Sequence, residues 1–434
     1  MIPALVISIL TCLFIILSVL FFPLLRIKGR SLPTYPIVAL MGALLLLVTG
    51  LLPLSTLSDG LTSAGSVNPI KILVLFFSMT SLSVYLDEVG FFSYLAAAAL
   101  RRAGGRQMRL FLLLFALVSV LTVFTSNDVI ILTFTPFICY FTKNARIDPM
   151  PYLVAEFVAA NTWSMTLVIG NPTNIYLAES AGIGFFAYFK VMLIPTLLAG
   201  LIALGVLLLL FRKSLSVPMT PIPAEVTFRR RAPLAVGLIH LSLCTILLAV
   251  SSYLSLPMWL ISLGFAISLF TVGSIVALLD RRCPHELLRT ARRLPYELIP
   301  FVFAMFTIVL ALRAYGVCEG LSALISPFPT IFTYGILSFL ASNLLNNIPM
   351  SVLFSSILSY ADEASRISGV YASIVGSNLG AYLTPLGALA GIMWSALLLR
   401  NGIRLSFLRF VRYGATVAVP TLLFALLGLS LVLR

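Results

Sequence analysis

Four polar stretches interrupt the apolar runs of this chain and hold most of its candidate chemistry. They are SND at 126–128, GNPTN at 170–174, NN at 346–347 and GSNLGAYLTP at 376–385. Amides and hydroxyls can hydrogen-bond a hydroxylated or anionic solute, and a carboxylate can take up a proton or a cation. The stretches therefore predict a polar binding site inside an apolar protein.

Two groups of candidate site residues follow from these stretches. For holding a solute we select the amides and hydroxyls Ser126, Asn127, Asn171, Thr173, Asn174, Asn346, Asn347, Ser377, Asn378 and Thr384. For coupling to an ion we select the acids Asp128 and Glu156. No catalytic or metal-binding residue is predicted, because the sequence has no HExxH, GxSxG or phosphate-loop motif and its five cysteines have no CxxC spacing.

Each of these residues also has a structural interpretation. Asn, Ser and Thr at helix breaks cap the helices, and Gly and Pro shape kinks. Asp128 is also compatible with a structural acid in the first turn of a helix, with no role in coupling. Glu156 is either an acid that reaches the cytoplasmic interface or a residue that lines the site. The sequence leaves these alternatives open.

The composition indicates that the four stretches belong to a membrane protein. The 434 residues are 60% hydrophobic and 10% charged, and the apolar residues form long runs, which is typical of a polytopic membrane protein. The net charge of +14 is informative through its distribution rather than as a sign of nucleic-acid binding. Most basic residues fall in six short segments, predicted to be cytoplasmic: 26–30, 101–109, 143–146, 212–231, 281–293 and 400–412.

Threading the chain through these segments predicts an all-α polytopic membrane protein made of two inverted-topology repeats. The first repeat, 1–211, has spans at 2–22, 36–53 and 70–89, a re-entrant hairpin at 109–142, a broken helix at 149–182 and a span at 185–211. A cytoplasmic linker, 212–233, joins it to the second repeat, 234–434. That repeat has spans at 234–254, 257–279 and 297–313, a hairpin at 329–360, a broken helix at 368–399 and a span at 409–432. Each repeat thus has about five spanning helices, one of them broken, plus one hairpin.

The polar breaks also have the sequence features of helix starts. Asn171 is a good N-cap followed by Pro172 at the first helical position, and Thr384 and Pro385 repeat that pattern. Interrupted helices at membrane depth are tolerated where they line a wet cavity. Their N-termini carry partial positive charge, so we expect a pocket near the middle of the membrane that favours an anion or an oxygen-rich neutral solute.

Four motifs resemble the ion transporter superfamily, and within it the arsenite permeases, the membrane component of arsenical pumps. They are LDEVGFF at 86–92, SNDVIILTFTPF at 126–137, NNIPMSVLF at 346–354 and GSNLGAYLTPLGALAGIMWSALLLRNGI at 376–403. The resemblance implies a secondary carrier that exports arsenite or antimonite from the cytoplasm, in which hairpins and broken helices move together. It also implies the proton gradient as driving force and sometimes an accessory soluble ATPase.

Three departures from the arsenite permeases keep other cargoes open. Asn161 and Asn378 stand where those proteins tend to have aspartates, which leaves coupling to Asp128, to Glu156 or to sodium. The GNPTN stretch is similar to loops of sodium-coupled carboxylate carriers and sodium/proton antiporters of the same superfamily. The alternatives are therefore a sodium- or proton-coupled carrier of a carboxylate or other anion, a sodium/proton antiporter and, outside the carriers, a channel or a non-transporting receptor with a carrier fold.

The expected surroundings follow from this interpretation. We predict a multi-pass protein of the cytoplasmic membrane with both termini outside. Its partners would be the lipid bilayer and a small inorganic or organic solute, with a homodimer and the accessory ATPase as further candidates and no nucleic acid. No cofactor is expected apart from a coupling proton or sodium ion, and no enzymatic activity.

Overall fold

The computed structural model describes residues 2–22, 24–27, 30–62, 68–219, 231–251, 253–281 and 283–433. Within them the chain forms twenty α-helices and one antiparallel β-hairpin, in which β1 (Leu24–Ile27) pairs with β2 (Arg30–Pro33). Residues 220–230, the central part of the predicted 212–233 linker, lie outside the described residues. The all-helical prediction is confirmed, and the short β-hairpin was not predicted.

Ten helices precede residue 220. They are α1 (Ile2–Phe21), α2 (Tyr35–Val48), α3 (Leu54–Thr62), α4 (Pro69–Glu88), α5 (Phe91–Ala103), α6 (Gln107–Phe124), α7 (Asn127–Ala145), α8 (Met150–Trp163), α9 (Pro172–Ser180) and α10 (Phe185–Leu215). A short 3-10 turn, Val168–Gly170, lies between α8 and α9.

Ten more helices follow residue 230. They are α11 (Arg231–Ala249), α12 (Met258–Leu279), α13 (His285–Arg292), α14 (Leu298–Ala314), α15 (Val317–Ile325), α16 (Thr330–Leu345), α17 (Asn347–Leu358), α18 (Glu363–Gly380), α19 (Leu389–Arg400) and α20 (Phe407–Val432). The sequence analysis did not predict α3, α5, α13 or α15, which are only 8 to 13 residues long.

Seven of the described helices are long and apolar enough to cross a membrane: α1, α4, α6, α10, α11, α12 and α20. An eighth span results if α14 and α15, which meet at 77°, are taken together. The protein is therefore a multi-span membrane protein, as predicted. Helix α6, the first arm of the predicted hairpin 109–142, has 18 residues. Its length of about 27 Å nearly matches the hydrocarbon thickness of a membrane.

The helices break at all four predicted places. The α6–α7 break is at Thr125 and Ser126, and the α16–α17 break is at Asn346. The α8–α9 break spans residues 164–171, and the α18–α19 break spans residues 381–388. Whether the two helix pairs 109–142 and 329–360 re-enter the membrane, and whether the halves are inverted, stay predictions.

The packing partners repeat with an offset of ten helices. Helix α7 packs against α8 and α19, and its counterpart α17 packs against α18 and α9. Likewise α2 packs against α14 while α12 packs against α4, and α10 packs against α20. This exchange of partners places the second helix of each broken pair beside the other half of the chain.

Helices α16 and α18 pack closely against each other through small residues. A Cβ built on Gly376 would overlap Ser338 Oγ and the carbonyl oxygen of Gly335. Small residues let helix backbones approach closely, which is how helices associate where lipid removes the hydrophobic driving force. The contact fixes α18, and with it the second break, against α16.

Candidate solute-binding site

Four helix N-termini meet at one cavity in the centre of the molecule. The cavity has an empty volume of about 210 Å³. It is lined by the first residues or N-caps of α7, α9, α17 and α19: Asn127, Asp128, Asn171, Pro172, Asn347, Ile348, Ala388, Leu389 and Ala390. Both halves of the chain contribute two helices each. The partial positive charge of four N-termini favours an anion or the oxygen atoms of a neutral solute.

Local sequence explains why three of these helices begin where they do. The side chain of Ser126 caps α7 by accepting from the N–H of Val129 at 3.4 Å. Asn171 caps α9 by accepting from the N–H of Thr173 at 3.0 Å, and Asn346 caps α17. Asn346 does so at a φ of 72°, a left-handed conformation that side-chain-bearing residues rarely adopt. The tip of the second pair is therefore strained as well as capped.

The side chain of Asn347 has no hydrogen-bond partner in the described part of the protein. It is 4% exposed, and its Oδ1 is buried and unpaired. An unpaired buried amide oxygen costs about 1–3 kcal/mol, which a bound solute with a donor group would offset. Asn127, the matching residue of α7, instead donates to Asn161 Oδ1 at 3.0 Å and accepts from the N–H of Asp128. Asn347 is therefore the strongest candidate for a direct contact with a solute.

Asn378 lies behind the cavity and connects the two broken helix pairs. Its Oδ1 accepts from Ser164 Oγ at 2.9 Å and from Asn171 Nδ2 at 3.3 Å. Its Nδ2 donates to Asn174 Oδ1 at 2.7 Å and to the carbonyl oxygen of Ile374 at 2.8 Å. All four hydrogen-bonding positions of this fully buried amide are thus occupied by protein.

Other predicted site residues lie around the cavity, and two of them hydrogen-bond to backbone carbonyl groups. Asn174 donates to the carbonyl oxygen of Ser164 at 2.9 Å, and Ser377 donates to that of Ile374 at 3.2 Å. Thr173 is fully buried, and its Oγ1 has no partner among the described residues. Asn346 borders an adjacent apolar cleft rather than the central cavity. The structure therefore brings Asn127, Asp128, Asn171 and Asn347 to the cavity and places the others around it.

The predicted helix start at Thr384 and Pro385 is wrong. Helix α19 begins at Leu389 with Ala388 as its N-cap, so backbone atoms rather than a capping side chain face the cavity there. Thr384 is instead held by Asn343, whose Oδ1 accepts from its hydroxyl at 2.7 Å and from its N–H at 3.1 Å. These bonds hold Thr384 in the segment between α18 and α19, and the helix resumes four residues later than the Thr-Pro pattern indicates.

The two predicted acids lie in different surroundings. Asp128 lines the cavity in the first turn of α7. It lies close enough to Glu297, just before α14, for the two carboxylates to interact electrostatically, and burial raises the pKa of Glu297. Glu156 is 2% exposed and lies between α7 and α19, away from the cavity. The sequence analysis did not select Glu297, and only its position next to an apolar span could have drawn attention to it.

A buried ion-pair cluster joins the two halves near the end of α4. Arg293 contacts Asp87 at 2.7 Å and Glu88 at 2.6 Å, and both acids are less than 10% exposed. They belong to the LDEVGFF stretch and lie opposite α13, which packs on α4. We therefore assign these acids to the contact between the halves and not to the cavity.

Comparison with known proteins decides the family. The profile of the citrate transporter family (CitMHS) matches residues 13–375, which is most of the chain. The chain belongs to the citrate transporter family. The arsenical pump membrane protein of Escherichia coli strain K12 is 28% identical over 91% of this chain and 92% of its own length. A putative arsenical pump membrane protein of Bacillus subtilis is 26% identical over 89% of this chain and 92% of its own length.

A solved structure supports the fold of this family member. The YdaH transporter of Alcanivorax borkumensis superimposes with a TM-score of 0.50, at 17% sequence identity, over 99% of this chain and 97% of that one. The predicted resemblance to arsenite permeases and their superfamily is confirmed by the family match and by the relatives named arsenical pump membrane protein. This protein is thus an integral membrane protein of a transporter family.

Proposed function

We propose that this citrate transporter family member is a secondary active carrier that exports a small hydroxylated solute, arsenite or antimonite, across the cytoplasmic membrane. The observation that carries the proposal is the meeting of four helix N-termini, two from each half, around one cavity with an unpartnered amide. Relatives named arsenical pump membrane protein over almost their full length support this cargo.

The chemistry of the cavity favours a small, uncharged solute. No Lys or Arg side chain is among its described lining residues, and its one carboxylate, Asp128, would repel an anion when ionised. The hydroxyl groups of As(OH)₃ or Sb(OH)₃ can donate to Asn347 Oδ1 and accept from backbone N–H groups at the start of α19, which has no side-chain cap.

Asp128 is the group of the cavity that can couple transport to an ion. A proton or a sodium ion bound there would remove its charge and so change how well the cavity holds the solute. Glu156, the other acid predicted to couple transport to an ion, lies outside this cavity. Asn127 would support the site indirectly, because its amide holds the backbone N–H of Asp128 at 3.0 Å and Asn161 Oδ1 at 3.0 Å.

Alternating access would follow from an inverted repeat. The exchange of packing partners with an offset of ten helices supports the predicted repeats 1–211 and 234–434. In such carriers the solute site lies at the interface of the repeats, and one part of each repeat moves against the rest. The cavity lies at such an interface, since each half supplies two of its four helix ends.

A second cargo is a carboxylate carried with sodium or protons. The printed description of the family, citrate transporter, and the four partly positive helix ends favour it. For this cargo the bound cations would have to neutralise Asp128 and part of the charge of the solute, because the described cavity lining holds no basic side chain. Sodium dependence is therefore the property that distinguishes the two cargoes.

Transport into everted membrane vesicles tests the proposal. Arsenite, antimonite, citrate and succinate would each be supplied under an imposed proton gradient or an imposed sodium gradient. We expect arsenite and antimonite to accumulate, and labelled solute to exchange in counterflow, which a channel would not support. Accumulation of citrate or succinate alone, dependent on sodium, would instead establish the second cargo. A vesicle that lacks the protein is the control for leak.

A further inference from the structure

Glu156 is enclosed where three helices of different parts of the molecule meet. It belongs to α8, and Thr135 of α7 donates its hydroxyl to the carboxylate at 2.9 and 3.1 Å from the two oxygens. The indole of Trp394, on α19, faces the same carboxylate. Helices α7 and α19 also supply cavity-lining residues at their N-termini. The surroundings of Glu156 are thus mechanically connected to the cavity through two helices.

No cation compensates this acid. Among the described residues, no Lys, Arg or His side chain pairs with Glu156. The Cys139 thiol of α7 lies close enough to interact electrostatically with Glu156. A buried carboxylate without a partner is strongly unfavourable, whereas the neutral acid is tolerated. The enclosed arrangement therefore suits the protonated form.

The second half has the same arrangement without the acid. Asn161 of α8 and Asn378 of α18 occupy equivalent positions in the two halves. Each donates its Nδ2 to the carbonyl oxygen four residues earlier, at 2.8 Å. Each also lies two residues before the end of its helix. Five residues before Asn378 lies Ser373, where Glu156 lies relative to Asn161. Ser373 is fully buried, and its Oγ is unpaired. Only the first half of the chain thus carries an ionisable group at this position.

A second cavity lies between Trp394 and a basic segment. It has an empty volume of about 250 Å³ and is lined by Phe157, Trp394, Leu405 and Tyr413 among others. Leu405 belongs to the segment 400–412, which is predicted to be cytoplasmic. Trp394 separates this cavity from the carboxylate, and its ring stacks on Phe157 at 4.7 Å. Displacement of the Trp394 ring would open a path for water to Glu156.

We propose that Glu156 binds the coupling proton of the carrier and exchanges it with the cytoplasm through the cavity beside Trp394. This inference rests on the proposed function and deepens it by naming the coupling ion and its site. The protonated acid keeps α7, α8 and α19 together in the enclosed state. Loss of the proton leaves a carboxylate that needs water, so the ionised form favours a state in which these helices separate and Trp394 N–H can donate to it.

Infrared difference spectroscopy of the purified protein in lipid nanodiscs tests the proton site without any solute. Spectra in acidic and alkaline buffer should show the C=O stretch of a protonated carboxylic acid. We expect one component of this band to be lost in Glu156→Gln, to shift in Glu156→Asp, and to be unchanged in Ser373→Ala, the matched position of the second half. A spectrum of Glu156→Gln identical to that of the unmodified protein would overturn the proposal, and the aspartate variant controls for a failure to fold.

Transport in everted vesicles then tests coupling, with arsenite as probe. Glu156→Gln should still exchange labelled arsenite in counterflow but should no longer accumulate it under a proton gradient, while Ser373→Ala should do both. Full proton-driven accumulation by Glu156→Gln would refute the role in coupling. If the unmodified protein exchanges no arsenite, the proposed cargo is wrong, and the same vesicle test is repeated with citrate. The infrared result still decides whether Glu156 holds a proton.

Discussion

Replacing Asn378 and Asn347 with alanine should separate stability from binding. Both are buried asparagines at the polar breaks of the second half, and both were predicted to contact the solute. Asn378 makes four hydrogen bonds to protein groups, whereas Asn347 makes none in the described part of the chain. We therefore expect Asn378→Ala to destabilise the fold and Asn347→Ala to weaken solute binding.

The magnitudes follow from the groups that each change leaves behind. Asn378→Ala leaves Asn174 Oδ1 and Asn171 Nδ2 buried without a partner, and at about 1–3 kcal/mol each the loss is about 2–6 kcal/mol. For 434 residues this corresponds to a melting temperature lower by about 2–7 °C. Asn347→Ala removes a buried amide oxygen that has no partner and so should not lower the free energy of unfolding. Loss of one or two hydrogen bonds to solute should weaken affinity about 5- to 150-fold.

Two measurements on the same preparations check this prediction. Thermal unfolding of the purified variants in detergent reports stability, and the half-saturating concentration of arsenite in vesicles reports binding. Each variant is the matched control for the other, since both remove the same side chain. The reasoning fails if Asn347→Ala melts as low as Asn378→Ala, or if Asn378→Ala weakens binding without any change in melting temperature.

Three further predictions concern packing, charge and orientation. Gly376→Ala should abolish stable expression, because its Cβ would overlap atoms of α16. Gly264→Ala, which has open space around it, should not. Equal melting temperatures of the two variants would contradict this prediction. Arg293→Ala should destabilise the protein by roughly 3 kcal/mol because it removes the close partner that Asp87 and Glu88 share. Arg289→Ala, 71% exposed and 3.9 Å from Glu88, should have little effect on the melting temperature. Cys283, which is exposed, should react with a membrane-impermeant maleimide in everted vesicles but not in intact cells; the opposite labelling would reverse the predicted orientation.

Most of the fold could be predicted from hydropathy and helix-capping chemistry. The long apolar runs give the spans, and Asn171 with Pro172 gives the start of α9. The short helices α3, α5, α13 and α15 could not be predicted in this way. They are stabilised by packing on neighbouring helices, such as that of α13 on α4, and not by a spanning apolar run.

The candidate site could be predicted only in part. The position of Asp128 in the first turn of a helix follows from its own sequence. The role of Ala388 could not be foreseen, because an alanine has no chemistry to select it and contributes only through the helix end that it precedes. Thr384 had the right pattern for a helix start and yet is bound by Asn343, which lies 41 residues away.

The sequence alone thus determined that the protein lies in a membrane, where its helices are interrupted and which end of each interrupted helix carries positive charge. These properties depend on residues within a few positions of one another. The tertiary structure decided which polar groups are left for a solute, since Asn378 is satisfied by partners more than 200 residues away while Asn347 is not. It also decided that Glu156 is enclosed by two other helices, because hydrogen bonds between distant segments form only when the helices pack.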